Sequence, residues 1–270
     1  MAVAQEKITL YPQGVPNTKS GVDISGNTPE FYFYKPDKQL SDKVFLIIPG
    51  GGYARVAMDH EGHDVAKRLQ SLGYASYVLR YRLPNAEEMP VKKIAPIQDA
   101  QTALSYIRKA SNGIQVGQVA VLGFSAGGHL ASTLSTHFKT NYTQDGPATA
   151  ALRPDFSVLV YPVITMEDGV THKGSKMNLI GPDVKEDDVL HFSNENQVTK
   201  HTPATYIVHA ADDKAVPIEN AYRYQKALQA HGVPNKLYQY EKGGHGFGMV
   251  NTLEAGDWFA DMITWIQTFK

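Results

Sequence analysis

Ser125, the adjacent Asp212 and Asp213, and His245 are the residues of this chain whose types and settings suit covalent chemistry. A serine hydroxyl is a weak nucleophile. It becomes a useful one when an imidazole takes its proton and a carboxylate orients that imidazole. Ser125 lies in Gly123-Phe124-Ser125-Ala126-Gly127, a G-x-S-x-G pattern directly after the apolar run Val119-Ala120-Val121-Leu122. A buried strand that ends in this pentapeptide and flows into a helix makes a strained elbow, which presents the serine above the carboxyl end of a sheet. Only small neighbours fit around such a turn, and Gly123, Ala126, Gly127 and Gly128 meet that demand.

The carboxylate follows the apolar run Tyr206-Ile207-Val208, in the loop His209-Ala210-Ala211-Asp212-Asp213-Lys214-Ala215-Val216-Pro217. Two aspartates compete there, and the one not used for chemistry is free to hydrogen-bond nearby backbone. His245 sits in Gly243-Gly244-His245-Gly246-Phe247-Gly248, just past the last strand-like run. Glycines at that density suit a loop that delivers an imidazole to a fixed place. A third element, Pro49-Gly50-Gly51-Gly52-Tyr53, ends the apolar run Val44–Ile48. Glycine lets backbone N–H groups approach a tetrahedral oxyanion closely, so Gly51 and Gly52 are candidate donors beside the N–H of Ala126. A phosphate-loop reading fails. No G-x-x-x-x-G-K-[ST] is present, and Arg55 occupies the third glycine position of G-x-G-x-x-G.

Elements that position these residues are legible as alternating runs. Strands are expected at Ile8–Tyr11, Glu30–Lys35, Val44–Pro49, Ala75–Arg82, Val119–Phe124, Phe156–Tyr161, Thr205–Ala210 and Lys236–Tyr240. Helices are expected at Glu61–Leu72, Ile94–Ala110, Ala126–His137, Ile218–His231 and Ala255–Phe269. Strand–helix alternation predicts an α/β fold with a mainly parallel, doubly wound, eight-stranded sheet covered by helices on both faces. The first two strands have no helix between them and read as an antiparallel edge. No linker divides the chain, so residues 1–270 read as a single domain. The stretch 163–201 lacks clear periodicity and reads as an insertion over the strand ends that forms part of a pocket.

Bulk properties narrow the function. A net charge of −1 gives no footprint for nucleic acid or an anionic membrane surface. The chain has no cysteine, which excludes thiol catalysis and disulfides. No apolar run reaches the ~18 residues of a membrane-spanning helix. Ala2-Val3-Ala4 matches the small-residue pattern left by signal-peptide cleavage. It implies a secreted or periplasmic protein if it is such a remnant, and a cytoplasmic one otherwise. Oligomeric state is not legible.

Other residues divide between roles. Asp59-His60-Glu61-Gly62-His63-Asp64 falls short of a zinc helix, because its histidines are three apart rather than four. Asp59 is expected to cap the following helix and Glu61 to stabilise its first turn. His129 and His209 read as structural hydrogen-bonders, and Trp258 and Trp265 as core. Tyr53 and Tyr81 are candidate pocket-lining aromatics for substrate binding.

These motifs together resemble the bacterial carbohydrate-esterase-like α/β hydrolases, the group of acetylxylan, feruloyl and xylanase-B-like esterases. The matching residues are Pro49–Tyr53, His60-Glu61-Gly62, Tyr81-Arg82-Leu83-Pro84, Gly123–Leu130, Asp212–Pro217 and Gly243–Gly248, spread over nearly the whole chain. The resemblance implies the α/β-hydrolase fold and a triad in the chain order serine, acid, histidine. Its D-x-x-V-P spacing selects Asp213 over Asp212. It implies an esterase acting through an acyl-enzyme on Ser125, without metal or cofactor, on acetyl or feruloyl groups of a polysaccharide such as xylan. One departure is Pro49, where many related esterases carry histidine. Other readings are a general small-ester or lipase-like esterase, a serine peptidase of the same fold, and a non-catalytic binding protein. An imidazole base must be neutral, so the rate is expected to rise through roughly pH 6–7.

Overall fold

The structure, a computed structural model, describes residues 5–109, 112–143 and 149–269. Ala2-Val3-Ala4, and Ala110 at the end of one expected helix, lie outside the described residues.

An eight-stranded sheet organises the chain in the order β1-β2-β4-β3-β5-β6-β7-β8. Its strands are β1 (Gln5–Ile8), β2 (Glu30–Tyr34), β3 (Lys43–Ile48), β4 (Ser76–Arg80), β5 (Gln118–Phe124), β6 (Phe156–Val160), β7 (Ala204–Ala210) and β8 (Asn235–Tyr240). β2 pairs antiparallel with both β1 and β4, as expected for the first two strands, and β3 to β8 run parallel. The helices are α1 (Asp64–Ser71), α2 (Ala95–Lys109), α3 (Ser125–Thr136), α4 (Lys173–Ile180), α5 (Glu186–Phe192), α6 (Glu219–Ala230) and α7 (Trp258–Gln267).

The apolar strand runs follow from burial on both faces. On β3, Val44, Leu46 and Ile48 join the core beneath α2, α3 and α6, while Phe45 and Ile47 join the core beneath α1 and α7. On β5, Val119 and Val121 point to the first core, and Ala120, Leu122 and Phe124 to the second. Successive side chains alternate between faces, so both sets must be apolar where helices cover both sides.

Three expectations need correction. The first strand is Gln5–Ile8 rather than Ile8–Tyr11. Leu10 and Tyr11 are buried for packing rather than pairing, and the Tyr11 hydroxyl donates to Asp99 at 2.7 Å. The helix expected from Glu61 starts with a π-helical turn at Asp59–His63, and no side chain caps either this turn or α1. Between β6 and β7, the expected unpatterned stretch contains α4 and α5. They escape a search for apolar periodicity because α4 buries Ser175 and Lys176 beside Leu179 and Ile180, while α5 buries Phe192 alone. Lys176 is accommodated by carrying its ammonium to Asp168 at 2.8 Å.

Register places the chemistry. Ile48 pairs with Gly123, Phe124 with Val160, Val160 with Val208, and Ala210 with Tyr240. The segments leaving β3, β5, β6, β7 and β8 therefore emerge at one edge of the sheet. Moreover, β3 and β5 are adjacent at the point where strand order reverses, the crevice where open α/β sheets bind ligands.

Candidate active site

Ser125 opens α3 directly after β5, with φ +51°. Positive φ is strained for a side chain of this kind, costing roughly 1–3 kcal/mol unless the surroundings impose it. Packing imposes it here. A Cβ on Gly123 would lie 2.3 Å from the Gly127 carbonyl oxygen, and one on Gly127 would lie 2.1 Å from that of Ile48. Strand, elbow and helix thus meet with no room for a methyl group. Tyr53 (φ +58°) and Tyr161 (φ +36°), just past β3 and β6, share this strained geometry. Three of the four non-glycine residues with positive φ among those described therefore lie around one crevice, Asn17 being the fourth.

A continuous hydrogen-bonded chain runs from Asp213 to Ser125. Asp213 Oδ2 is 2.7 Å from His245 Nδ1, and His245 Nε2 is 2.8 Å from Ser125 Oγ. An ionised carboxylate only accepts, so the proton lies on Nδ1 and the Nε2 lone pair faces the serine hydroxyl. Burial by itself would raise the Asp213 carboxyl. Hydrogen bonds from His209, His245 and the Val216 N–H outweigh burial and hold it well below the usual carboxylate range. Its other oxygen accepts from the N–H groups of Ala215 and Val216, both at 2.9 Å.

Asp212 has a different place. Its Oδ1 accepts from the N–H groups of Gly243 at 2.9 Å and Gly244 at 2.7 Å, pinning the histidine loop from its side. His209 is fully buried and places Nε2 2.9 Å from the Val216 carbonyl and 3.4 Å from Asp213. His129 lies inside α3, its ring nitrogens 2.8 Å from the Tyr53 hydroxyl and 2.8 Å from the Phe192 carbonyl, away from Ser125.

The glycine loop lies against the elbow. A Cβ on Gly50 would come within 2.8 Å of the Ser125 Cβ. Gly51 and Gly52 have φ of +124° and +67°. Their carbonyls turn outward: Gly51 accepts from the N–H groups of Ala54 and Arg55, and Gly52 from Asn178 Nδ2 at 2.8 Å. Among the described residues, neither the Gly51 nor the Gly52 N–H has an acceptor within the chain. The N–H of Ala126 is in the first turn of α3, where helix geometry supplies no partner and the helix dipole is positive.

Tyr53 and Tyr81 differ from expectation. Both rings are buried and both hydroxyls face inward, to His129 and to the Pro49 carbonyl at 3.1 Å. Tyr81 thereby holds the glycine loop at Pro49, and Tyr53 ties the end of that loop to α3, because a buried hydroxyl needs a partner. Glu61 also differs. It is 4% exposed and accepts the Gly50 N–H at 2.7 Å instead of serving a helix terminus.

Two residues of the insertion give no pattern in the sequence. Asn178 on α4 holds the Gly52 carbonyl, and the His172 ring would lie 3.6 Å from a Cβ on Gly52. His172 caps α4 by accepting the Ser175 N–H on Nδ1, which leaves Nε2 as its N–H donor. Burial lowers its basicity.

The arrangement suits acyl transfer: a serine with its base and carboxylate beside unpaired N–H groups. The BD-FAE family model matches residues 31–228. The chain belongs to the BD-FAE family. This BD-FAE chain is 34% identical over 241 residues to an acetylxylan esterase of Xylanibacter ruminicola, an alignment covering 84% of this chain and 46% of that protein. It spans less than half the length of such curated relatives. The crystal structure of an acetyl ester-xyloside bifunctional hydrolase from Caldicellulosiruptor lactoaceticus superposes with a TM-score of 0.82 at 34% identity, covering 97% of this chain and 96% of that one. MGS-M1, an α/β hydrolase enzyme from a Medee basin deep-sea metagenome library, gives a TM-score of 0.65 at 25% identity, covering 98% and 94%. The fold is that of the α/β hydrolases. Among the described residues, no helix is long and apolar enough to cross a membrane.

Proposed function

We propose that this chain is a serine carboxylic-ester hydrolase that removes acetyl groups from acylated xylan or its oligosaccharides. The observation that carries the reading is the unbroken Asp213–His245–Ser125 chain, with contacts of 2.7 and 2.8 Å, set beside the N–H groups of Gly51, Gly52 and Ala126. His245 takes the Ser125 proton as Oγ attacks the ester carbonyl, and Asp213 stabilises the imidazolium. The negative oxygen turns to the N–H groups, each worth about 3–4 kcal/mol in such sites. As the tetrahedral intermediate collapses and its bond to the sugar oxygen breaks, the His245 imidazolium protonates that oxygen, which leaves as the sugar hydroxyl. Water, deprotonated by His245, releases acetate from Ser125 and restores the site.

Acetylated xylan as substrate is supported by the activity named for the Xylanibacter ruminicola relative and by the acetyl ester-xyloside hydrolase of similar structure. We assign the insertion 163–201 to one wall of the pocket, because Asn178 and His172 lie against the Gly52 end of the donor loop. The test is a side-by-side assay on acetylated xylo-oligosaccharides, a feruloylated arabinose ester, aryl acetates and peptide chromogenic substrates, with fluorophosphonate labelling of the parent and Ser125→Ala. Acetate release and labelling, both lost in the variant, are expected. Peptide cleavage without ester cleavage, or labelling that persists in the variant, would overturn the reading.

A further inference from the structure

Glu61 is a carboxylate buried beside the catalytic crevice and absent from the acyl-transfer steps. Oε2 accepts the Gly50 N–H at 2.7 Å, and Oε1 accepts the Tyr161 hydroxyl at 2.8 Å. The His60 imidazole lies 3.6 Å from Oε1. Tyr161 carries the chain onward, because its oxygen accepts the Gly248 N–H at 3.0 Å. Trp258 donates to the Gly248 carbonyl at 3.1 Å, so both backbone polar groups of that glycine are held. At the other end, Tyr81 holds the Pro49 carbonyl and Glu61 the Gly50 N–H. The peptide plane Pro49–Gly50 is therefore clamped at both edges. Burial first, then the Glu61 charge, raises the Tyr161 phenol, which stays protonated and keeps both of its roles. The Tyr161 ring also packs at 4.8 Å, centroid to centroid, against the His245 ring.

We propose that Glu61 is a positioning residue that, through Tyr161, sets the donor loop of Gly51 and Gly52 in register with the loop that carries His245. The two loops leave different strands and deliver the two parts that must act on one carbonyl: the N–H donors and the base. Glu61 is the single side chain among those described that bonds the first loop directly and the second through one intermediate. A carboxylate suits this task. It has two acceptor oxygens, so it takes two donors from different directions. This role rests on the serine-esterase reading of the site.

The test uses the full chain with Glu61→Gln, Glu61→Leu and Tyr161→Phe. Active sites are titrated with a fluorophosphonate, so that kcat on an aryl acetate counts only folded, reactive protein. For Glu61→Leu, kcat per site is expected to fall about 10–100-fold, a loss comparable to misplacing an oxyanion donor, with KM within about threefold. The inhibition constant of a trifluoromethyl ketone, which mimics the tetrahedral state, should rise in step. Glu61→Gln keeps one acceptor oxygen for its two donors, and its rate should fall between those of the parent and Glu61→Leu. A purely structural Glu61 would lower melting temperature and titratable sites while kcat per site and the ketone constant stay put, and that result overturns the proposal. Amide exchange provides a readout independent of turnover: Glu61→Leu should raise exchange in both 49–53 and 243–248, and Tyr161→Phe in 243–248. Exchange raised in 49–53 alone refutes the coupling. Parent turnover that survives Ser125→Ala, or no parent turnover, sinks the esterase reading instead, and the exchange measurement still decides the coupling.

Discussion

Replacing Asp213 by asparagine changes one atom and should cost nearly all of the rate. Asp213 Oδ1 accepts two backbone N–H groups at 2.9 Å, while Oδ2 faces His245 Nδ1 at 2.7 Å. An asparagine has one oxygen to serve both sides. With that oxygen toward Ala215 and Val216, its NH2 faces His245, and Nδ1 must become an acceptor. The proton then moves to Nε2, which can no longer take one from Ser125. The opposite rotamer points NH2 at two N–H donors and leaves them unpaired in a site where the Asp213 side chain is 0% exposed. Each unpaired donor costs about 1–3 kcal/mol, so the unproductive tautomer is the stable outcome. Expected is a fall of about 10⁴ in kcat, about 5.5 kcal/mol of lost transition-state stabilisation, with near-normal KM for an aryl acetate. Asp212→Asn is the control. Its carbonyl oxygen still accepts from Gly243 and Gly244, so its loss should stay below about tenfold. Comparable losses in the two variants, or an Asp213→Asn rate within tenfold of the parent, would refute the assignment.

Gly51→Ala should lower kcat about 100-fold or more, because its φ of +124° and a Cβ 2.3 Å from the Arg55 carbonyl force the donor loop to move. Gly52→Ala, whose nearest atom would be His172 Cε1 at 3.6 Å, should lose less, on the order of tenfold, and parallel kinetics separate the two. Asn178→Ala frees the Gly52 carbonyl from α4 and should shift the ratio of activities on acetylated oligosaccharide and aryl acetate while fluorophosphonate labelling persists. Burial lowers the His129 imidazole to about 4, so between its ordinary value near 6.5 and about 4 the unfolded chain binds the extra proton. Stability should therefore decline as pH falls across that window, by on the order of 3 kcal/mol for this residue. Melting temperatures that stay flat from pH 6.5 to 4 would contradict it.

Much of the architecture is legible because burial on both faces forces apolar residues into β3 and β5, and short contacts around Gly123 and Gly127 force small ones into the elbow. Residues 125, 213 and 245 are visible for a related reason: each sits in a loop of unusual composition after an apolar run. Choosing Asp213 over Asp212 needed a family pattern, since adjacent aspartates differ only in which backbone they face. The place of Glu61 is not legible, because its partners, Gly50 and Tyr161, lie 11 and 100 residues away, while its nearest pattern is a helix start. The inward turn of the Tyr53 and Tyr81 hydroxyls is not legible, because aromatic composition does not reveal which way a hydroxyl points. The helices α4 and α5 are not legible, because a buried lysine and short length erase the apolar period.

Strand order has a consequence in time as well as in space. The serine and its donor loop come from β3 and β5, near the middle of the sheet, whereas His245 follows β8, the strand at its edge and the last in the chain. As domains emerge from the ribosome beginning at the amino end, the elbow is made long before its base. Ser125 thus lacks its hydrogen-bonding histidine until residues 125 to 245 have all been made. Pairing of β8 with β7 is the event that brings His245 to it, so nascent chains and fragments lacking β8 carry the strained turn without the Asp213–His245–Ser125 chain.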